Sequence, residues 1–215
     1  MSPVFLLKLE GDVKIFLPLN KFPSPEKLRA MYKSGRNITD KQQQIIDAPY
    51  FLENPEKLPR YYQINAINKT VEAIANRRKR ILLVMATSTY KTFTAFQIIW
   101  RLWKAHIKKR ILFLADRKNL ISQTFTNDFA PFKESMTWVK KSNFDTAHEI
   151  YLALYQGLSG EEDTESLFQK FSPQFFDLII VDECHRGSAK ADSEWRKILE
   201  YFSAATQLGM TAIQK

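Results

Sequence analysis

Strands alternating with helices predict an α/β fold for most of this 215-residue chain, a parallel sheet with helices on both faces. Three observations carry that prediction. Apolar runs rich in β-branched residues at 81–84, 111–115 and 177–181 have the length and composition of buried strands. Helical spacing of apolar residues recurs between them, as in Phe93, Phe96, Ile99, Trp100 and Trp103. Charged or small polar residues follow directly on the strand ends, at Lys91-Thr92 and Asp182-Glu183, where open parallel sheets bind ligands.

Composition sets the outer limits. Hydrophobic content of 45% supports a globular core, and a formal charge of +9 suits polyanionic partners. That much basic excess also occurs on proteins that never touch nucleic acid. The single Cys184 excludes a disulfide within the chain and fits a reducing compartment. No apolar run approaches the roughly 18 residues that a membrane span needs, and the start of the chain lacks a basic n-region followed by a long apolar stretch. These features predict a cytoplasmic protein with no membrane partner.

Taken in order, residues 1–58 have a texture of their own, holding Pro3, Pro18, Pro23, Pro25, Pro49, Pro55 and the polar stretch 39–44. They read as a mostly helical or irregular arm. Within it, Ser24 as N-cap and Pro25 at the first position open a helix that Gly35 ends. From residue 59 the pattern becomes regular. A helix led by Tyr62-Gln63 carries Ile64, Ile67, Val71 and Ile74 on one face and ends in Arg77-Arg78-Lys79-Arg80. Cations at a helix C-terminus complement its dipole, so a solvated turn is a simpler reading of that run than a nucleic-acid patch. The strand at 81–84 and the helix from Lys91 follow, then the strand at 111–115 and a helix over 118–125. Residues 149–155 have strand composition with a spacing that also accommodates a helix. A helix at 163–171, the strand at 177–181, a helix at 192–202 and a last strand at 207–211 complete the pattern.

The chemistry gathers at two places. Strand, polar loop, Lys-Thr and helix form the layout of a phosphate loop, in which backbone N–H groups and a helix N-terminus hold phosphates. In that layout the lysine reaches the β and γ groups and the threonine hydroxyl binds Mg²⁺. Here Ala86, Thr87, Ser88, Thr89 and Tyr90 form the loop and Lys91-Thr92 end it. Downstream, Asp182 follows a buried strand as a metal carboxylate would, and Glu183 is placed to polarise an attacking water. Cys184 and His185 lack a second ligand pair and make a poor zinc site. Phe93, Phe96, Trp100, Trp103 and Trp195 read more simply as core than as base-stacking rings, and Glu161-Glu162-Asp163 as a solvated loop.

The phrases Arg60-Tyr61-Tyr62-Gln63, Ile81 through Thr92, Asp116-Arg117, Tyr155-Gln156, Asp182-Glu183-Cys184-His185-Arg186-Gly187 and Gly209-Met210-Thr211-Ala212 stand in the order of superfamily-two helicase motors. Their combination resembles the R (restriction, motor) subunit of type I restriction enzymes. The resemblance implies a RecA-like (P-loop NTPase) lobe over 59–215, preceded by a connector. It assigns Gln63 to the adenine edge, residues 86–92 to the nucleotide, and Lys91, Asp182 and Glu183 to catalysis, with Thr92 and Asp182 on Mg²⁺. Asp116, Arg117, Tyr155 and Gln156 fall to DNA, and Thr211-Ala212 to coupling nucleotide state with DNA. ATP and Mg²⁺ are the implied cofactors. The implied partners are double-stranded DNA, held through its backbone, and the modification and specificity subunits of a restriction complex. The implied activity is ATP-dependent DNA translocation coupled to cleavage, with another superfamily-two lobe or a non-catalytic remnant as alternatives.

Two departures from the family pattern bear on activity. The loop reads Ser88-Thr89-Tyr90-Lys91-Thr92 where the family has Gly-Thr-Gly-Lys-Thr, and Ile213-Gln214 replace Thr-Pro. Glycines there admit unusual dihedrals and a close backbone approach, so Tyr90 is expected to crowd the lysine and weaken ATP binding. The 215 residues also hold neither a second lobe nor a nuclease region, so negligible ATP hydrolysis is expected from this polypeptide alone.

Overall fold

A computed structural model describes residues 4–8, 14–18, 21–53, 57–116, 121–122, 124–140, 145–159, 166–183 and 189–212. It divides into two compact units, Met1–Gln44 and Ile45–Lys215. In the first, β1 (Val4–Lys8) and β2 (Lys14–Pro18) pair antiparallel, with Val4 opposite Pro18 and Lys8 opposite Lys14. The sequence pattern had not marked this hairpin. Helix α1 (Pro25–Gly35) starts as predicted, Ser24 Oγ accepting from Lys27 N at 3.3 Å and Pro25 taking the first turn. The polar stretch forms α2 (Asp40–Ile46). Its start is held reciprocally: Thr39 N donates to Gln42 Oε1 at 2.8 Å and Gln42 N donates to Thr39 Oγ1 at 3.3 Å.

The second unit is built on six parallel strands: β3 (Arg80–Val84), β4 (Ile111–Ala115), β5 (Met136–Trp138), β6 (Ile150–Leu154), β7 (Leu178–Val181) and β8 (Thr206–Thr211). They lie in the order β3-β8-β7-β4-β6-β5, each parallel to its neighbours. Three-residue β5 is too short to have been legible. Residues 149–155 resolve as strand β6, followed at once by the short helix α5 (Tyr155–Ser159). The expected helix at 118–125 lies partly outside the described residues. Its described part is helical at 121–122 and gives way to a π-helical turn, Thr124–Asp128. Of the expected helix at 163–171, Leu167–Lys170 forms a 3₁₀ turn and the earlier residues lie outside the description.

Alternation along the strands divides the core between the two faces of the sheet. Ile111, Phe113 and Ala115 of β4 pack with α3 (Tyr61–Ala75) and α4 (Lys91–Lys104) through Ile67, Val71, Phe96 and Ile99. Leu112 and Leu114 face the opposite layer, where Ile198 of α6 (Ala189–Tyr201) and Phe202 close over the sheet. With both faces covered, the inner strands can be apolar at every position, which is why β4 and β7 read as unbroken hydrophobic runs. Phe96 and Trp100 are buried, as their helical spacing predicts.

Residues 45–53 belong with this second unit, and α4 holds them there. Gln97 Nε2 donates to Phe51 O at 2.9 Å and Gln97 Oε1 accepts from Phe51 N at 3.0 Å. Arg101, 2% exposed, donates from Nε to Ala48 O at 2.7 Å, from Nη1 to Asn68 Oδ1 at 2.8 Å, and from Nη2 to Ile46 O. A buried guanidinium is tolerable only when its fork of donors is satisfied in this way.

Candidate nucleotide site at the carboxyl ends of the strands

Between β3 and α4 the chain turns through the loop 85–90, whose ends are fixed to the sheet and to itself. Met85 N donates to Thr211 O of β8 at 2.9 Å, and Thr89 Oγ1 donates to Ala86 O at 2.6 Å. Ser88 (φ 61°) and Tyr90 (φ 55°) both take the left-handed backbone that favours glycine. Each such residue costs roughly 1–2 kcal/mol against an ordinary conformation. The loop thus keeps a glycine-type path with side chains attached. Tyr90 is the N-cap of α4, and its carbonyl accepts the first helical bond from Thr94 N at 3.1 Å.

Lys91, the first residue of α4, is 8% exposed and places Nζ 3.2 Å from Glu183 Oε1. Glu183 follows β7, and β8 lies between β7 and β3 in the sheet, so this contact spans the ends of three adjacent strands. Asp182 beside it is 6% exposed, and its N–H donates to Leu114 O at 2.9 Å. Burial, and after it the neighbouring Glu183 charge, push the Asp182 carboxyl up to about 6 against the downward pull of Lys91. Thr92 is half-buried at the same helix end. Three expected catalytic residues, Lys91, Asp182 and Glu183, therefore meet in one place. A buried ammonium, two carboxylates and a helix N-terminus form a donor and acceptor set that fits a magnesium-bound polyphosphate.

Gln63 ties the start of α3 to this loop. Its Oε1 accepts from Arg60 N at 2.8 Å, its Nε2 donates to Thr89 O at 3.1 Å, and only 2% of it is exposed. Tyr90 turns its ring the same way: the Arg60 guanidinium carbon lies 5.7 Å from the ring centroid. The phenol and the Lys91 ammonium, on adjacent residues, thus reach different partners.

Among the residues expected at DNA, Tyr155 and Asp116 are brought together, the phenol donating to Asp116 Oδ1 at 2.5 Å. Gln156 is exposed beside them. Arg117 lies outside the described residues, as do Cys184, His185, Ile213 and Gln214. Thr211 and Ala212 are buried at the end of β8, where Thr211 O receives the Met85 bond, so the expected coupling motif is hydrogen-bonded to the phosphate loop's strand. Sequence reasoning did not find Arg60 as a neighbour of Tyr90. Its spacing of three residues from Gln63 marks only the helix cap between those two, and nothing in the sequence signals the contact with Tyr90.

The family described as type III restriction enzyme, res subunit, matches residues 56–215. Among curated relatives, the endonuclease subunit of the type I restriction enzyme EcoAI from Escherichia coli is 54% identical over 199 residues, 93% of this chain and 25% of that protein. Among solved structures, a fragment of an HsdR subunit of a type I restriction enzyme from Vibrio vulnificus YJ016 is 37% identical. It has a TM-score of 0.73 and covers 94% of this chain and 34% of that one. The UvsW helicase from bacteriophage T4, 16% identical with a TM-score of 0.56 over 80% of this chain and 58% of that one, shares the fold. The chain spans about a quarter of the length of the EcoAI relative.

Proposed function

The chain belongs to the family of type III restriction enzyme res subunits, as a RecA-like helicase lobe of a type I R subunit, and on that premise we propose that it binds Mg·ATP in a double-stranded DNA translocase. The observation that carries this reading is the meeting of Lys91 and Glu183 at 3.2 Å beside a buried Asp182, at the carboxyl ends of the strands. Bound Mg·ATP supplies a phosphoanhydride whose hydrolysis powers movement. Lys91 would hold the phosphates, Thr92 and ionised Asp182 would hold the metal, and Glu183 would polarise the attacking water. The free protein keeps Lys91 engaged by Glu183, so nucleotide must take the lysine over. Loop strain at Ser88 and Tyr90 is present before any ligand arrives.

Asp116, Arg117, Tyr155 and Gln156 contact the DNA backbone in this reading, supported by the bond that joins Tyr155 to Asp116. Backbone contacts read no sequence, so the target is chosen elsewhere in an assembly with modification and specificity subunits. In this reading the 215-residue polypeptide by itself turns ATP over negligibly, with Ser88 and Tyr90 holding a backbone that glycine adopts without strain.

Titration of Mg·ATP into the protein and into Lys91→Ala, followed by phosphate release with and without double-stranded DNA, tests both halves. Binding that depends on Lys91, without DNA-stimulated turnover, is the expected result. Absence of Lys91-dependent binding leaves a non-catalytic remnant of the lobe and overturns the nucleotide-binding proposal. DNA-stimulated turnover well above the Lys91→Ala level overturns the claim of inactivity.

A further inference from the structure

We propose that Tyr90, with Arg60, forms the wall on which the base of the nucleotide packs, so that a side chain standing where the family has glycine sets base preference. The inference rests on the nucleotide-site reading above and adds to it a residue which that reading leaves without a role.

Four observations support it. Tyr90 holds a left-handed backbone (φ 55°, ψ 53°), and 64% of it is exposed, so its ring is available to a ligand. The ring sits 5.7 Å from the Arg60 guanidinium, a planar cation suited to stacking. Tyr61, the residue after Arg60, is 79% exposed and meets Tyr62 edge-on at 5.5 Å. Gln63, the residue expected to read the base edge, is 2% exposed with both ends of its amide in hydrogen bonds to Arg60 N and Thr89 O. In this conformation Gln63 positions the two loops, and the accessible groups at that end of the site are Tyr90 and Arg60.

The geometry also separates two subsites. Lys91 points to Glu183 and the neighbouring Tyr90 points to Arg60, so phosphate and base recognition part company at one peptide bond. Stacking of a base on an aromatic ring contributes about one tenfold step in affinity, and purines offer the larger face.

The test is calorimetric titration of the 215-residue protein with Mg·ATP and, separately, with Mg·tripolyphosphate, which lacks the base and sugar. Tyr90→Asn keeps a residue that tolerates the left-handed backbone but removes the ring, and Tyr90→Phe keeps the ring. Tyr90→Asn is expected to weaken ATP about tenfold and leave tripolyphosphate within about twofold, with Arg60→Ala following it and Tyr90→Phe resembling the parent. The preference for ATP over CTP is expected to shrink in the same variants. An ATP-to-tripolyphosphate affinity ratio unchanged in Tyr90→Asn, or both ligands tightening together, overturns the proposal while the Lys91-dependent site stands. Failure of the parent to bind either ligand overturns the site itself and this inference with it.

Discussion

Glu183 occupies the ammonium of Lys91 at 3.2 Å, with the two side chains 8% and 15% exposed, so the residue expected to serve the water also blocks the residue expected to serve the phosphates. Glu183→Gln removes the competing charge while keeping the shape. Mg·ATP is expected to bind about fivefold tighter to that variant, corresponding to roughly 1 kcal/mol for a largely shielded pair. Hydrolysis is expected to stay at the Lys91→Ala background. Weaker ATP binding in Glu183→Gln would show that the ion pair organises the site instead of obstructing it.

The Asp182 carboxyl titrates near 6 in the fold against an ordinary value of 3.8, so the folded state holds the proton more tightly than the unfolded chain does. Its contribution to stability is complete below about pH 4 and is lost as pH rises through 6. Asp182→Asn stays neutral throughout. Denaturant titrations of both proteins between pH 4 and 7 are expected to show the parent losing ground to Asp182→Asn over that window. Magnesium affinity should rise across the same range, since the metal takes the ionised carboxylate. A stability difference that does not change with pH would place the titration elsewhere.

Ser88 holds φ 61° in an exposed position of the loop. Glycine relieves that conformation, and Ser88→Gly is expected to stabilise the protein by about 1 kcal/mol, or roughly 2–4 °C in Tm for a chain of this size. A fall in Tm would show that the serine side chain contributes more than its backbone costs.

Arg101 joins residues 46 and 48 to Asn68 from within the core, stacked 4.5 Å from the Tyr50 ring. Arg101→Ala strands two carbonyls and leaves Asn68 Oδ1 with the Tyr50 hydroxyl as donor, and a loss of about 3 kcal/mol is expected in denaturant titration. Proteolysis should open the chain near residues 46–53 before the sheet is cut. A change under 1 kcal/mol would mean that solvent replaces the guanidinium without difficulty.

The fold was legible where a single periodicity ruled. Residues 111–115 and 178–181 are apolar at every position because helices cover both faces, and α4 shows its buried stripe through Phe93, Phe96, Ile99 and Trp100. Legibility failed where structure rests on a few specific bonds. Helix α2 has no buried residue to give it a stripe, and its Thr39–Gln42 cap was hidden in a polar stretch. Arg101 reads as one more surface cation until Ala48 and Ile46 are seen to meet it. At the site, order along the chain brought Lys91, Asp182 and Glu183 into one expectation. It could not reveal that Lys91 and Glu183 pair directly, or that the Tyr90 ring meets Arg60, because both contacts depend on side-chain direction.

Strand β3, which delivers the chain into the phosphate loop, is bonded among the described residues of the sheet to β8 alone, and Leu82 and Val84 stand 64% and 47% exposed on it. A border strand frays more readily than a strand flanked on both sides, so deuterium is expected to enter the amides of 80–84 well before those of 111–115. The loop is thus suspended from a border rib of the sheet. Slowed isotope uptake in that one rib would be the earliest sign of a seated ligand.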